Sequence, residues 1–169
     1  MHIRRFRTQD NQKVKRFINS ILKKEFPGLA SVYSGNDLKD IKRHYSGKRE
    51  RFFVAIDNDK IIGTGGIKED DKVENKALLR RIFIHPNYRR KGYGLKILDK
   101  AVEFCKAQGY STIIFRSTSK MSAANNLVRK KGFVEREHLY FPLNKKEQVE
   151  IIKFVLNLMK PKLMERKRT

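Results

Sequence analysis

Apolar residues at Val14, Phe17, Ile18, Ile21 and Leu22 recur at intervals of three and four, which lines them along one face of a helix. Thr8 or Asp10, just ahead, is of the type that caps such a helix, and Pro27 with Gly28 ends it. Residues 2–7 before it predict a short strand, and Asp37 to Tyr45 after it a second, short helix. "RFFVAID" and "IIGTGGIK", joined by the turn residues "DNDK", predict a hairpin, and Lys76 to Ile84 a further strand. From Gly92 to Gln108 the period returns to that of a helix, with Leu95, Ile97, Leu98, Ala101, Val102 and Cys105 on its apolar side and Gly109 closing it. "STIIFRS" then predicts a strand, Met121 to Lys131 a helix, and "FVERE" a strand.

The pattern is ambiguous in "VEIIKFVLNL", which is apolar nearly all round. Its β-branched residues and the alternation of Ile152, Phe154, Leu156 and Leu158 favour a strand over a helix. The resulting order, β-α-α-β-β-β-α-β-α-β-β, predicts a mixed α/β domain with an early hairpin and a strand-helix-strand crossover in the middle. No repeat, low-complexity tract or Gly/Ser-rich linker divides the chain, so residues 1–159 are read as one domain and 160–169 as a basic tail. A length of 169 residues suits a single core.

Composition sharpens the picture in two ways. No apolar run approaches the roughly 18 residues of a membrane span, and "MHIRRFRTQD" lacks the apolar segment of a secretory signal. A cytoplasmic location without membrane association is therefore expected, in keeping with a lone cysteine, Cys105, that has no internal disulfide partner and is read as packing. Forty Lys and Arg against 18 Asp and Glu give a net charge of +22, a field that draws anions and disfavours polycationic substrates. The anion could be nucleic acid or a phosphorylated small molecule, and charge alone does not choose. Four scattered histidines and one cysteine form no ligand cluster, so no metal is expected.

The candidate chemistry lies in "IHPNYRRKGYGLKIL", residues 84–98. A strand ends near Ile84, and Gly92 and Gly94 stand where a helix begins. First-turn N–H groups there are unpaired, and the helix dipole adds partial positive charge. Such a start attracts phosphate. Alternate glycines admit close backbone approach, and Arg89, Arg90 and Lys91 add cationic contacts suited to a diphosphate. The spacing is neither G-x-x-x-x-G-K-[ST] nor G-x-G-x-x-G, which argues against a nucleoside-triphosphate loop and a Rossmann dinucleotide site.

"RRKGYG" resembles the R/Q-x-x-G-x-G/A pyrophosphate loop of the GNAT acyltransferase superfamily. "ALLRRIFIHPNY" before it resembles that family's fourth strand, and "MSAANNLVRKKGF" after it resembles the helix written A-x-x-L-Y-x-K-x-G-F. The resemblance implies a mostly antiparallel, splayed sheet of six to seven strands flanked by about four helices, opening between its fourth and fifth strands to admit acetyl-CoA. It implies that Ile82, Phe83 and Ile84 line the pantetheine arm and that Arg89, Arg90, Lys91, Gly92, Tyr93, Gly94 and Leu95 hold the diphosphate; on the following helix Asn125 and Asn126 supply amides, one of which, with Asn126 taken as the candidate, could contact the pantetheine or adenosine moiety. The implied activity is N-acetyl transfer from acetyl-CoA to a primary amine of a small molecule or protein.

The sequence also departs from the family. Val128 stands at the usual tyrosine, the supposed acid for the leaving thiolate; Met121 replaces an asparagine, and Leu78 a glutamate base. Substitutes by residue type are Tyr140 as acid and Glu74 as base, with Glu135, Glu137, His85 and His138 as further groups near strand ends. The rival reading is a catalytically weak module of the same fold that binds CoA, nucleic acid or a ribosome through its basic surface. "EFPGLASVYSGNDL" is read as a loop over the acceptor site, and an apolar last strand at a sheet edge would allow a homodimer.

Overall fold

The computed structural model describes residues 1–29, 33 and 35–159. Seven strands form one sheet: β1 His2–Arg5, β2 Arg51–Asp57, β3 Lys60–Glu69, β4 Lys76–Ile84, β5 Thr112–Thr118, β6 Val134–Pro142 and β7 Gln148–Asn157. Five helices flank it: α1 Asn11–Glu25, α2 Asn36–Lys39, α3 Ile41–His44, α4 Tyr93–Ala107 and α5 Ser122–Lys131. The predicted second helix is thus two short ones. They are broken at Asp40, whose extended backbone lets its side chain cap α3 by accepting from the Arg43 N–H. The predicted basic tail, 160–169, lies outside the described residues.

Strand order is β1-β2-β3-β4-β5-β7-β6, and every neighbouring pair is antiparallel except β4 and β5. The final strand is therefore interior. β7 inserts between β5 and β6, with Phe154 fully buried against Phe115, and the edges of the sheet are β1 and β6. That corrects the edge-strand premise for a homodimer: both edges of β7 are paired within the chain, with β5 and with β6.

Each face of the sheet carries its own core. Ile97, Leu98, Ala101 and Val102 of α4 and Val128 of α5 pack with Leu79, Ile82, Ile113 and Phe115 on one side. Val14, Ile18 and Ile21 of α1, with Leu38, Ile41 and Tyr45, cover Phe52, Val54, Ile56 and Phe83 on the other. The "GTGG" stretch of β3 makes this close approach feasible. A Cβ on Gly63 would stand 2.5 Å from Ile97 Cδ1, and one on Gly66 would stand 2.8 Å from the Tyr45 ring. Cys105 is buried in the α4 core, and burial pushes its thiol up to about 12, consistent with packing.

Candidate active site

β4 and β5 start as parallel partners, from Lys76 opposite Thr112 to Leu79 opposite Phe115, and there the pairing stops. Two features drive them apart. A bulge in β4 shifts its register against β3 between Thr64 and Gly66, and Arg81 occupies the left-handed region at φ 56. Such a backbone is costly for a residue with a Cβ, and buried contacts hold it in place. The Thr64 hydroxyl donates to the Arg81 carbonyl at 2.7 Å, while the buried Arg81 guanidinium pairs with Asp37 of α2, its Nε 3.0 Å from Oδ2. Asp37 also accepts from the Tyr45 hydroxyl at 2.8 Å. Burial disfavours its charge, but Arg81 and Tyr45 outweigh burial and hold the carboxyl below its ordinary value.

Beyond the bulge, β4 from Arg80 to Ile84 has no β5 partner, and a cleft of about 390 Å³ opens between the strands. Leu78, Ile82, Phe83, Ile114 and Phe115 give it apolar walls; Arg80, Arg81, Arg116, Tyr33 and Met121 supply the rest. The phenol of Tyr33 lies 3.1 Å from Met121 Sδ. Burial raises its pKa, against the opposing pull of Thr118 and the Arg81 charge, so the phenol keeps its proton.

Downstream of β4, a short turn at Pro86–Tyr88 leads to the start of α4. Gly92 caps that helix in the left-handed region, at φ 80, and Arg90 shares the conformation at φ 60. The first helical bond at this end is Lys96 N–H to the Gly92 carbonyl, which leaves the N–H groups of Tyr93, Gly94 and Leu95 facing outward as donors. Splayed strand edge, cleft and donor-rich helix start follow one another along the same stretch of chain.

The profile of the acetyltransferase (GNAT) family matches residues 16–133, spanning all of these features. The chain belongs to the GNAT family. Among curated relatives, the chain is 30% identical over 129 residues to the Xenopus tropicalis protein described as "Probable N-acetyltransferase camello", covering 76% of this chain and 54% of that one. It is 26% identical to human N-acetyltransferase 8, over 72% of this chain and 55% of the relative. The chain thus spans about half the length of these proteins. Among solved structures, a GNAT acetyltransferase from Staphylococcus aureus Mu50 superposes with a TM-score of 0.78 at 26% identity, covering 94% of this chain and 99% of that one. An acetyltransferase from Salmonella typhimurium, solved with its cofactor acetyl-CoA, shares the fold with a TM-score of 0.72 at 14% identity, covering 95% of each chain.

Within this GNAT framework the sequence-predicted residues fall into separate groups. Ile82, Phe83 and Ile84 form the unpaired stretch of β4, where Ile82 faces the α4 core and Phe83 the α1 core. Arg89 is not free to contact an anion with its side chain: Nε donates to the Ile84 carbonyl at 3.0 Å, and the guanidinium pairs with Glu25 at the end of α1, holding that carboxyl below its ordinary value. Arg90 and Lys91 are exposed. Tyr93 leans on Tyr88, with ring centroids 6.1 Å apart. Gly94 has a second reason to be small, because a Cβ there would meet Leu127 Cδ2 at 3.1 Å and Ile84 Cγ1 at 3.3 Å. Asn126 is on the exposed side of α5, accepting from Arg129; Asn125 is buried and donates to the Thr118 carbonyl at 2.9 Å.

The candidate acid and base do not join the cleft. Glu74 lies in the exposed turn before β4, at the end where β4 and β5 are still paired, roughly 20 Å of strand from the bulge. Tyr140 lies on edge strand β6, opposite Glu150, and is 62% exposed. Glu135, on that strand, binds Arg129, and Glu137 faces Lys153. His138 sits between Glu150 and Glu135, which raise its pKa, on strand β6 outside the cleft. His85 stacks against Phe17 of α1, and its Nδ1 accepts from the Asn87 N–H at 3.1 Å. Val128 is fully buried under the sheet.

Tyr33 was missed as a specific residue. Its segment, "EFPGLASVYSGNDL", reads as a loop over the acceptor site, but no periodicity or motif marks which of its side chains turns inward. Residues 30–32 and 34 of that segment lie outside the described residues.

Proposed function

We propose that this chain is an N-acetyltransferase that moves the acetyl group of acetyl-CoA to a primary amine of a small molecule or protein. The observation that carries the reading is the parting of β4 from β5 after Leu79, directly upstream of a helix start capped by left-handed Gly92. An unpaired strand edge accepts an extended amide chain by strand-like hydrogen bonding, and a donor-rich helix start accepts a diphosphate. The pantetheine arm and the diphosphate of a CoA molecule are thereby matched by backbone groups. The N-acetyltransferase relatives, and the acetyl-CoA in the Salmonella structure, support the reading.

Bound acetyl-CoA supplies an activated thioester carbonyl. In this reading the backbone groups of Arg80 to Ile84 that are left free by β3 and by the Thr64 and Arg89 side chains orient the pantetheine arm, and the N–H groups of Tyr93, Gly94 and Leu95 bind the diphosphate, with Arg90 and Lys91 adding screened charge. Tyr33 holds a proton at its phenol oxygen in the cleft and takes the proton-donor role that Val128 cannot fill. The guanidinium groups lining the cleft disfavour a positive charge on a nearby amine, which helps keep it neutral and nucleophilic without a carboxylate base.

The test combines a melting scan with a thiol-release assay. Acetyl-CoA at a hundredfold excess over its dissociation constant should stabilise the protein by about 2.7 kcal/mol, and free thiol should appear when an acceptor amine is added. No thermal shift, and no binding by calorimetry, would remove the proposal.

A further inference from the structure

We propose that the cleft between β4 and β5 contains a carboxylate-binding subsite formed by Arg80 and Arg116, so that the acceptor is a small amine that also bears a carboxylate, of amino-acid size. The inference deepens the acetyltransferase reading and rests on it. Three arginines line the cleft, Arg80 and Arg81 from β4 and Arg116 from β5. Arg81 is neutralised by buried Asp37. Arg80 and Arg116 have no ion pair or side-chain hydrogen bond among the described residues, unlike Arg81 beside them.

These two guanidinium groups share one face of the splayed strands. Ile113 and Phe115 pack toward α4, which turns Ile114 and Arg116 to the α1 side; Arg80 lies close enough to Asp37 and Tyr45 for its charge to act on both. Both guanidinium groups line the same cleft without a side-chain partner of their own, and a fork of donors from each of two strands suits a carboxylate. The phosphates of a CoA molecule belong elsewhere, since the donor-rich helix start follows β4, whereas Arg80 precedes the end of β4 by about 13 Å of strand. At about 390 Å³ the cleft is in the small-molecule range.

The experiment measures thiol release for a panel of amino acids, acidic ones included, each paired with its own α-amide and with the amine lacking the carboxyl group. The free acid should exceed its amide at least tenfold in kcat/KM, chiefly through KM, and in R116Q and R80Q that ratio should fall about tenfold. Amides that match the acids, or variants in which acid and amide decline together, would overturn the subsite while leaving the acetyltransferase reading intact. Should no amine turn over, calorimetry of the CoA-loaded protein with N-acetyl amino acids decides. Binding of the acid and not of its amide, lost in R116Q, would uphold the subsite and count against transferase activity; no preference for the acid would overturn it.

Discussion

Tyr33 and Tyr140 present the same phenol in opposite settings. One lines the cleft with its proton held by burial, and the other is 62% exposed on an edge strand. Replacing Tyr33 with Phe should lower the acetylation rate roughly 10²-fold at saturating acetyl-CoA, with CoA affinity unchanged, the scale expected for a positioned proton donor. Tyr140→Phe should leave the rate within about twofold, and reversal of the two outcomes would move the acid to β6. Restoring the family tyrosine is a poor alternative test. Val128 has no exposed surface, and forcing a phenol into that core costs about 1–3 kcal/mol by overpacking. Gly94 carries a similar confound, because a larger residue meets Leu127 and Ile84 before any ligand is present.

At the scale of elements, the Asp37–Arg81 pair ties α2 to the bulge that opens the sheet. Asp37→Asn leaves a buried guanidinium without its counter-charge, a change worth about 3–5 kcal/mol in urea unfolding. Loss of less than about 1 kcal/mol would show that the bulge does not depend on the pair. The same pair gives a pH dependence of defined sign. The Asp37 carboxyl titrates below its unfolded value, so its stabilisation is complete above the ordinary carboxylate range of about 3.9 and fades as pH falls through the lowered native value. Unfolding midpoints recorded from neutral to acid pH should fall less steeply at the acid end in Asp37→Asn than in the wild type.

For the whole molecule, the net charge of +22 is concentrated in part along α1. Lys13, Arg16 and Lys24, with Lys60 from β3, outnumber Glu25 and Asp59 around a groove of about 830 Å³ floored by Phe17, Ile21 and Ile61. A solvent-facing field of this kind attracts polyanions, through contacts that salt screens. RNA retained on filters should drop more than tenfold between about 50 mM and about 200 mM salt, and charge reversal at Lys13 and Arg16 should weaken it further. Retention indifferent to salt would show that charge is not its source. Steep RNA binding without acetyl-CoA turnover would favour the nucleic-acid module over the enzyme.

Local pattern alone determined the hairpin, the strand Lys76–Ile84, the long α4 and its glycine-capped start at "RRKGYG", because side-chain period, glycine conformation and an unpaired helix start are properties of neighbouring residues. The last strand was legible as a strand from its alternation, but its position was not: insertion of β7 between β5 and β6 depends on pairings more than 30 residues apart. The side-chain engagement of Arg89 was hidden for the same reason, since Glu25 lies 64 residues away in sequence. Only the tertiary structure brought Tyr33 from the α1–α2 segment, Arg80 from β4 and Arg116 from β5 to one cleft, and only it left Glu74 and Tyr140 outside. Residue type carries proton affinity and charge, but which groups face a common substrate depends on where two strands part, and that was decided by a bulge held by a buried ion pair with α2.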